Sequence, residues 1–363
     1  MSSQTSYYVY FTYMEPRSLK NKNTTLDDVA RAADVSAITV SRAIRKPQMV
    51  SAKVRERVLA AIDRLGYVPD AAASTLASKR TDMIGFLVPS LTNNVFADVL
   101  RGVYDACDST PYNVQIANFR YSPLDEERMI RTFLRQKPAG LIVTGFDQTT
   151  EAKALLEAAD CRIVQIMDSQ DDPVDLMIGF SHYTSAVDAA RHLIKQEYRR
   201  PGFIGARMDP RAQRRLTGFT DVMKEAGLFD PRRVVTTPAA SSIGMGTQLF
   251  ADLIAKKPDT DAIFCNNDDL AAGVLLEAQR RNIDVPEQLG ICGFNDLEFS
   301  AHFNPGLTSV ATPRYETGHR AFEMLQQAIE SPDDQLDGKI NLSVRLVERG
   351  STQRENSSSF DRD

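Results

Sequence analysis

Thr25-Leu26-Asp27-Asp28-Val29-Ala30-Arg31-Ala32-Ala33-Asp34-Val35-Ser36-Ala37-Ile38-Thr39-Val40-Ser41-Arg42 reads as two short helices joined by a tight turn. Thr25 is a good N-cap, and Asp28, three residues on, can answer it in a capping box. Leu26, Val29, Ala30 and Ala33 recur at i, i+3, i+4 and i+7, which gives one apolar face. Asp34-Val35 makes the turn. Ser36 caps a second helix whose Val40 and Ile44 point back to the core, with Ala37, Ile38, Ser41 and Arg42 facing outward. Ser51 then caps a third helix with Val54, Val58, Ala61, Ile62 and Leu65 inward, closed by Gly66 at the C′ position. An ordinary three-helix bundle has the same pattern, so the helices alone leave two readings open. One of them is the helix-turn-helix, whose second helix enters the major groove of duplex DNA.

The spacing onward separates the two. Leu65-Gly66-Tyr67-Val68-Pro69 leads into the short alanine-rich run Asp70 to Ser78. Together with Thr25-Leu-Asp-Asp-Val-Ala30, Val35-Ser36 and Thr39-Val-Ser-Arg42, this order resembles the head and hinge of the LacI/GalR (lactose-repressor/galactose-repressor) family of transcriptional regulators. The resemblance continues to about residue 350. It implies that double-stranded operator DNA is contacted by Thr25, Ser36, Ala37, Ile38, Thr39, Ser41 and Arg42, and from the hinge by Ala73 and Leu76. Ala37 and Ile38 have no hydrogen-bonding side chain, so thymine methyls or C–H edges are their expected partners, and guanine that of Arg42. The hinge is marginal as an isolated helix. It is expected to fold on DNA beside the hinge of a second subunit, with Leu76 wedged into a base step from the minor groove. Asp70 stands where the family usually has Asn, which weakens hinge docking.

Length and charge agree with this division. A chain of 363 residues holds two or three domains. Residues 1–80 contain 13 Lys/Arg and 7 Asp/Glu, a net +6, which leaves −11 for the rest of a chain whose total is −5. The phosphate-seeking charge thus lies with the helix-turn-helix. Residues 1–22 read as a disordered extension without the basic n-region or cleavage motif of a signal peptide, and Met14 is an alternative start. Residues 23–69 are the DNA-binding domain, 70–80 the hinge, and 81–350 an effector-binding and dimerisation domain. Residues 351–363 carry one large apolar residue, Phe360, and no heptad, so they read as the disordered tail of a dimer, with 352–363 dispensable. No apolar run is long enough to span a membrane. Cys107, Cys161, Cys265 and Cys292 have neither metal nor redox spacing and read as reduced thiols.

From residue 81 onward short apolar runs alternate with amphipathic helices. Strands are expected at 84–88, 114–117, 141–144, 163–166, 202–205, 234–235, 262–265 and 290–294. Helices are expected near 94–107, 125–136, 150–159, 184–197, 211–226, 244–256 and 268–282. This alternation means α/β architecture, here two parallel doubly wound sheets behind the all-α head. The resemblance implies a periplasmic-binding-protein-like body crossed near residues 180, 312 and 338. Subdomain 1 would be about 81–180 plus 313–338, and subdomain 2 about 181–312 plus 339–350. Ligands of such sheets bind beyond the carboxyl ends of the strands. Polar residues fall there: Asp168, Arg214, Arg215, Asn267, Asp268, Asn295 and Asp296. Each could equally be a cap or turn residue, Asp268 above all. The family pattern singles out Asp168, Arg215, Asn267 and Asn295 as effector contacts, although many relatives have Asp where this chain has Asn295.

Enzymatic readings find little support. Gly244-Met-Gly246 is no dinucleotide fingerprint, the four histidines lack metal-ligand spacing, and no Gly-x-Ser-x-Gly elbow occurs. No cofactor or metal is expected. A solute-binding protein with the same body would carry a secretory leader and no DNA head. A cytoplasmic, homodimeric repressor is therefore expected. Pro89 to Gly102, Met167-Asp-Ser-Gln170, Ile178 to His182, Gly205 to Asp209 and Ala311 to Arg314 are most similar to the gluconate-repressor branch. That branch implies gluconate or a keto-gluconate as effector, with a neutral sugar as the alternative.

Overall fold

The computed structural model describes residues 24–45, 47–68, 81–332 and 337–354. They fall into two compact units, one within residues 24–68 and one from residue 81 onward.

In the first unit, α1 (Leu26–Ala33), α2 (Ala37–Arg45) and α3 (Ala52–Leu65) surround Val29, Ala30, Ala33, Val40, Ala43, Val58, Ala61 and Tyr67. Val29, Val40 and Val58 expose no surface, and the alanines between them let short helices approach closely. The capping box forms as the spacing predicts. Thr25 Oγ1 accepts from the Asp28 N–H, and the Asp28 carboxylate accepts the Thr25 N–H at 2.9 Å. Asp34 turns the chain with φ 52°, a conformation its short polar side chain tolerates. Gly66 closes α3 with φ 60°. Ser51 stands at the N-cap position of α3, but its hydroxyl makes no capping bond, contrary to expectation.

The second unit holds two six-stranded sheets. The first contains β1 (Met83–Val88), β2 (Asn113–Asn118), β3 (Gly140–Thr144), β4 (Arg162–Ile166), β5 (Leu176–Gly179) and β11 (Lys339–Asn341). Its order is β11-β5-β4-β3-β1-β2, all parallel. The second contains β6 (Pro201–Ala206), β7 (Val234–Thr237), β8 (Ala262–Cys265), β9 (Gly290–Asn295), β10 (Thr308–Ala311) and β12 (Arg345–Val347). Its order is β12-β10-β9-β8-β6-β7, with only the β10–β12 pair antiparallel. The crossover helices are α4 (Asn94–Cys107), α5 (Pro123–Arg135), α6 (Thr150–Glu157), α7 (His182–Lys195), α8 (Pro210–Glu225), α9 (Ile243–Lys256), α10 (Asp268–Arg280) and α11 (Arg314–Glu330). The central strands are buried throughout, as parallel strands covered on both faces must be.

The chain passes between the sheets three times: from β5 to α7, from β10 to α11, and from β11 to β12. The third passage lies later than the expected 338. β11 pairs with β5 through Asn341, and the Leu342 N–H donates to the Gly179 carbonyl at 2.7 Å, so residues 339–341 belong to the first sheet.

A second correction concerns the end of the body. Ser351 and Thr352 have no exposed surface. The Ser351 hydroxyl donates to the Ile291 carbonyl at 2.6 Å and accepts the Thr308 N–H at 2.8 Å. Thr352 Oγ1 lies 2.7 Å from Thr308 Oγ1 and 2.8 Å from His192 Nε2. The Arg354 guanidinium covers the Tyr198 ring at 3.9 Å. A short polar run without periodicity reads as a tail, but here each hydroxyl finds a buried partner. The expected disorder from 351 therefore does not hold for Ser351–Arg354, and residues from 355 lie outside the described ones. The four cysteines form no disulfide, and burial pushes the Cys265 and Cys292 thiols well above their usual range.

Candidate functional site

Two regions collect the residues predicted to carry function. On the head, Ile38 is 64% exposed, and Arg42, one turn further along α2, is exposed beside it. Ser36 accepts the Thr39 N–H at 3.2 Å and lies 2.9 Å from Thr39 Oγ1, so it caps α2. Thr25 is held by Asp28. Ser41 is half-buried, and Ala37 is half-buried against the head core rather than facing outward as expected, because its short side chain lies at the helix border. Ala73 and Leu76 lie outside the described residues.

In the body, a cavity opens where loops at the carboxyl ends of the strands converge. The first subdomain supplies a largely neutral wall: Asn93, Val95 and Phe96 at the start of α4, Tyr121 after β2 and Met167 after β4. The second supplies the charge: Arg207 and Asp209 after β6, and Arg211 and Arg215 on α8. Ser241, Asn266, Asn267, Asp269 and Asn295 complete this side, with His182 from the start of α7.

The charged groups are held by one another, by backbone groups and by ring faces. Asp209 Oδ1 caps α8 by accepting the Ala212 N–H at 2.9 Å, and its Oδ2 accepts from Arg211 at 3.1 Å. Burial opposes the Asp209 carboxylate, but Arg211 and Arg215 outweigh it and hold its pKa below the usual range. Arg215 donates to the Asn266 carbonyl and stacks on Phe294 at 4.2 Å, while its Nε is buried without a protein partner. Burial lowers its pKa to about 10, which leaves it a cation at neutral pH. The Arg207 guanidinium lies over Tyr121 at 3.9 Å, a cation–π contact between the two walls. His182 Nε2 is 2.9 Å from the Met167 carbonyl. Burial, then Arg215, push the His182 pKa well below the usual value, so its ring is neutral.

The structure brings Arg215, Asn267 and Asn295 to one cavity and leaves Asp168 out of its lining. Asp168 is buried, accepts the Ser169 N–H at 2.8 Å and pairs with Arg214. Its place at a strand end is as expected, but its carboxylate is committed to Arg214. Asn267 does two things: its Oδ1 caps α10 through the Leu270 N–H at 3.0 Å and accepts from Ser241 at 2.8 Å. Asp268 is therefore not the cap. It is fully buried, accepting from Leu297 N–H and the Ser309 hydroxyl, and burial raises its pKa to about 6. Asn295 ends β9 at φ 110°, a conformation that costs L residues energy, and its carbonyl accepts from Arg314. Sequence reading passed over Tyr121, His182, Arg207, Asp209, Arg211 and Asn266. A signal for three of them was present: Arg207, Asp209 and Arg211 follow directly on the buried strand β6, where a bare solvent turn needs no such density of charge.

Among the described residues no cluster of His, Cys, Asp and Glu is arranged to hold a metal, and no helix is long and apolar enough to cross a membrane. Residues 25–70 match the bacterial regulatory proteins of the lacI family, and residues 190–352 match the periplasmic binding protein-like domain. The HTH-type transcriptional regulator GntR of Pseudomonas aeruginosa is 40% identical over 328 residues, covering 90% of this chain and 95% of the relative. GntR of Escherichia coli K12 is 35% identical over 307 residues, covering 85% and 92%. The crystal structure of a LacI family transcriptional regulator from Silicibacter pomeroyi is similar with a TM-score of 0.86 at 35% identity, covering 91% of this chain and 99% of that one. With a helix-turn-helix head, a cavity in an α/β body and relatives that match both along nearly their full lengths, the chain belongs to the LacI family of bacterial regulatory proteins and is a sequence-specific DNA-binding transcriptional regulator.

Proposed function

We propose that the protein is a cytoplasmic homodimeric repressor whose operator binding is controlled by a sugar acid, gluconate or a keto-gluconate, held in the body cavity. The observation that carries this reading is the charge balance of the lining. Three guanidiniums, Arg207, Arg211 and Arg215, face two carboxylates, Asp209 and Asp269, and Asp209 is already bonded to Arg211. Arg215 makes its direct contacts with a backbone carbonyl and a ring face, and the nearby Asp209 carboxylate is bonded to Arg211. A half-buried cation so placed gains most from an anion, and a guanidinium can fork onto a carboxylate through two parallel bonds. Asn267, Asn295 and Ser241 offer both donors and acceptors for the hydroxyls of the same ligand. The similarity to GntR regulators points the same way.

On the head, Ile38 and Arg42 read base edges in this proposal, and Thr25, Ser36, Thr39 and Ser41 lie near the sugar-phosphate backbone. Two heads on two half-sites require a two-fold dimer. Control follows if the ligand prefers one arrangement of the two subdomains over the other.

Titration calorimetry of the full chain against gluconate, 2- and 5-ketogluconate, glucose and galactose tests the effector class. A sugar acid binds best in the expected result. Tighter binding of a neutral sugar overturns it.

A further inference from the structure

We propose that His182 makes the cavity selective for a hydroxyl over a keto oxygen at one carbon of its ligand, by presenting Nδ1 as a fixed hydrogen-bond acceptor. The inference rests on the sugar-acid reading above and adds to it a rule for which acid is taken.

The tautomer follows from one contact. His182 Nε2 lies 2.9 Å from the Met167 carbonyl oxygen, which can only accept, so Nε2 carries the hydrogen and Nδ1 a lone pair. The ring is 2% exposed and lines the cavity. Among the described residues nothing bonds to Nδ1. Such an atom is costly to leave unmet, and a ligand that meets it gains accordingly. The ring cannot turn away, because Phe180 at 4.6 Å and Phe294 at 5.8 Å hold it. Arg215 stacks on that same Phe294 and lines the same cavity, so one small ligand can lie against both the imidazole and the guanidinium. Burial and Arg215 keep the imidazole neutral, so Nδ1 stays an acceptor at physiological pH.

A carboxylate or keto oxygen only accepts, and against Nδ1 it would set lone pair to lone pair. A hydroxyl donates. A sugar acid with its hydroxyl at this position is therefore bound, and its oxidised counterpart is disfavoured.

The test is a cycle between protein and ligand on the full chain. His182→Gln keeps a donor toward Met167 and moves the acceptor from the Nδ1 position to an amide oxygen. Gluconate is expected to bind His182→Gln about tenfold or more weakly than the wild type. One of 2- and 5-ketogluconate should bind the wild type with that same deficit and lose nothing further in the variant. In the wild type, the 15N resonance of His182 Nδ1 should move on gluconate addition. This last measurement needs no variant and stands if His182→Gln fails to fold. Gluconate bound with the Nδ1 resonance unmoved, or bound equally by a folded variant, overturns the role of His182 alone. A wild type that binds no sugar acid overturns the effector reading with it.

Discussion

Arg42 and Arg215 carry the same guanidinium in opposite settings. Arg42 stands exposed on a nine-residue helix of a head whose core is wholly apolar. Arg215 stands half-buried in the lining of a cavity, stacked on Phe294, with Asp209 and the buried Arg211, Asn295 and His182 in the same lining. The head keeps its charge in water and brings it to a polyanion whose phosphates and base edges are met only on contact. The body withdraws part of its charge from water, which costs free energy unless each group finds a specific partner. Reach serves recognition of a long polymer, and burial serves discrimination among small molecules.

The contrast can be broken at either arginine. Arg215→Ala should weaken sugar-acid binding by about 2–5 kcal/mol in calorimetry, since a half-buried charged partner is lost. DNA affinity of the ligand-free protein should stay unchanged. Affinity within threefold of the wild type would mean that the cavity does not use its desolvated cation. Arg42→Ala should cost less, about 1–3 kcal/mol on a duplex selected from a random library, and little on unselected DNA. Equal losses on both would reduce Arg42 to a phosphate contact.

Glu126 sharpens the comparison through pH. It is 3% exposed, and burial, aided by Asp147 and opposed by Gln148 and Arg211, raises its pKa from 4.5 to about 7. The folded state thus holds this proton more tightly than the unfolded state does. The associated stability is present below about pH 4.5 and is lost as pH rises through about 7. Glu126→Gln, always neutral, should therefore raise the melting temperature by a few degrees at pH 8 and by little near pH 4.5. A gain independent of pH would assign the effect to packing. The smallest expected effect is in the head. Thr25→Ala opens the capping box and should lower the protection of α1 amides in hydrogen exchange by about 1 kcal/mol.

What could be read from sequence follows the same division. Thr25 and Asp28, the Val29–Ala33 spacing and Gly66 act within a few residues of one another, so the head was legible nearly to the residue. In the body, the long buried strands and seven helices announced themselves by periodicity. β5, β10, β11 and β12 are only three or four residues long, β11 and β12 lie at sheet edges, and all four went unread. The cavity was half legible. Asn267 and Asn295 lie at strand ends and Arg215 on the helix after β6, but whether a strand-end acid faces the cavity or a neighbouring Arg depends on packing across the cleft. Asp168 faces Arg214 for that reason. His182 was quoted within a matching stretch and yet gave no sign of its own, because its meaning comes from the Met167 carbonyl 15 residues earlier.

The burial of Ser351 and Thr352 sets an order of events in the life of the chain. The second sheet gains β12 and its hydroxyl clamp on Ile291 and Thr308 only when the last described residues exist. At ribosomal speeds of about 5–20 residues per second, the head is complete roughly 15–60 s before that happens. During this interval a nascent chain holds the whole head and an incomplete second sheet. A product cut short by a dozen residues before Arg354 would stay in that condition, with β10 left as the edge strand of the second sheet.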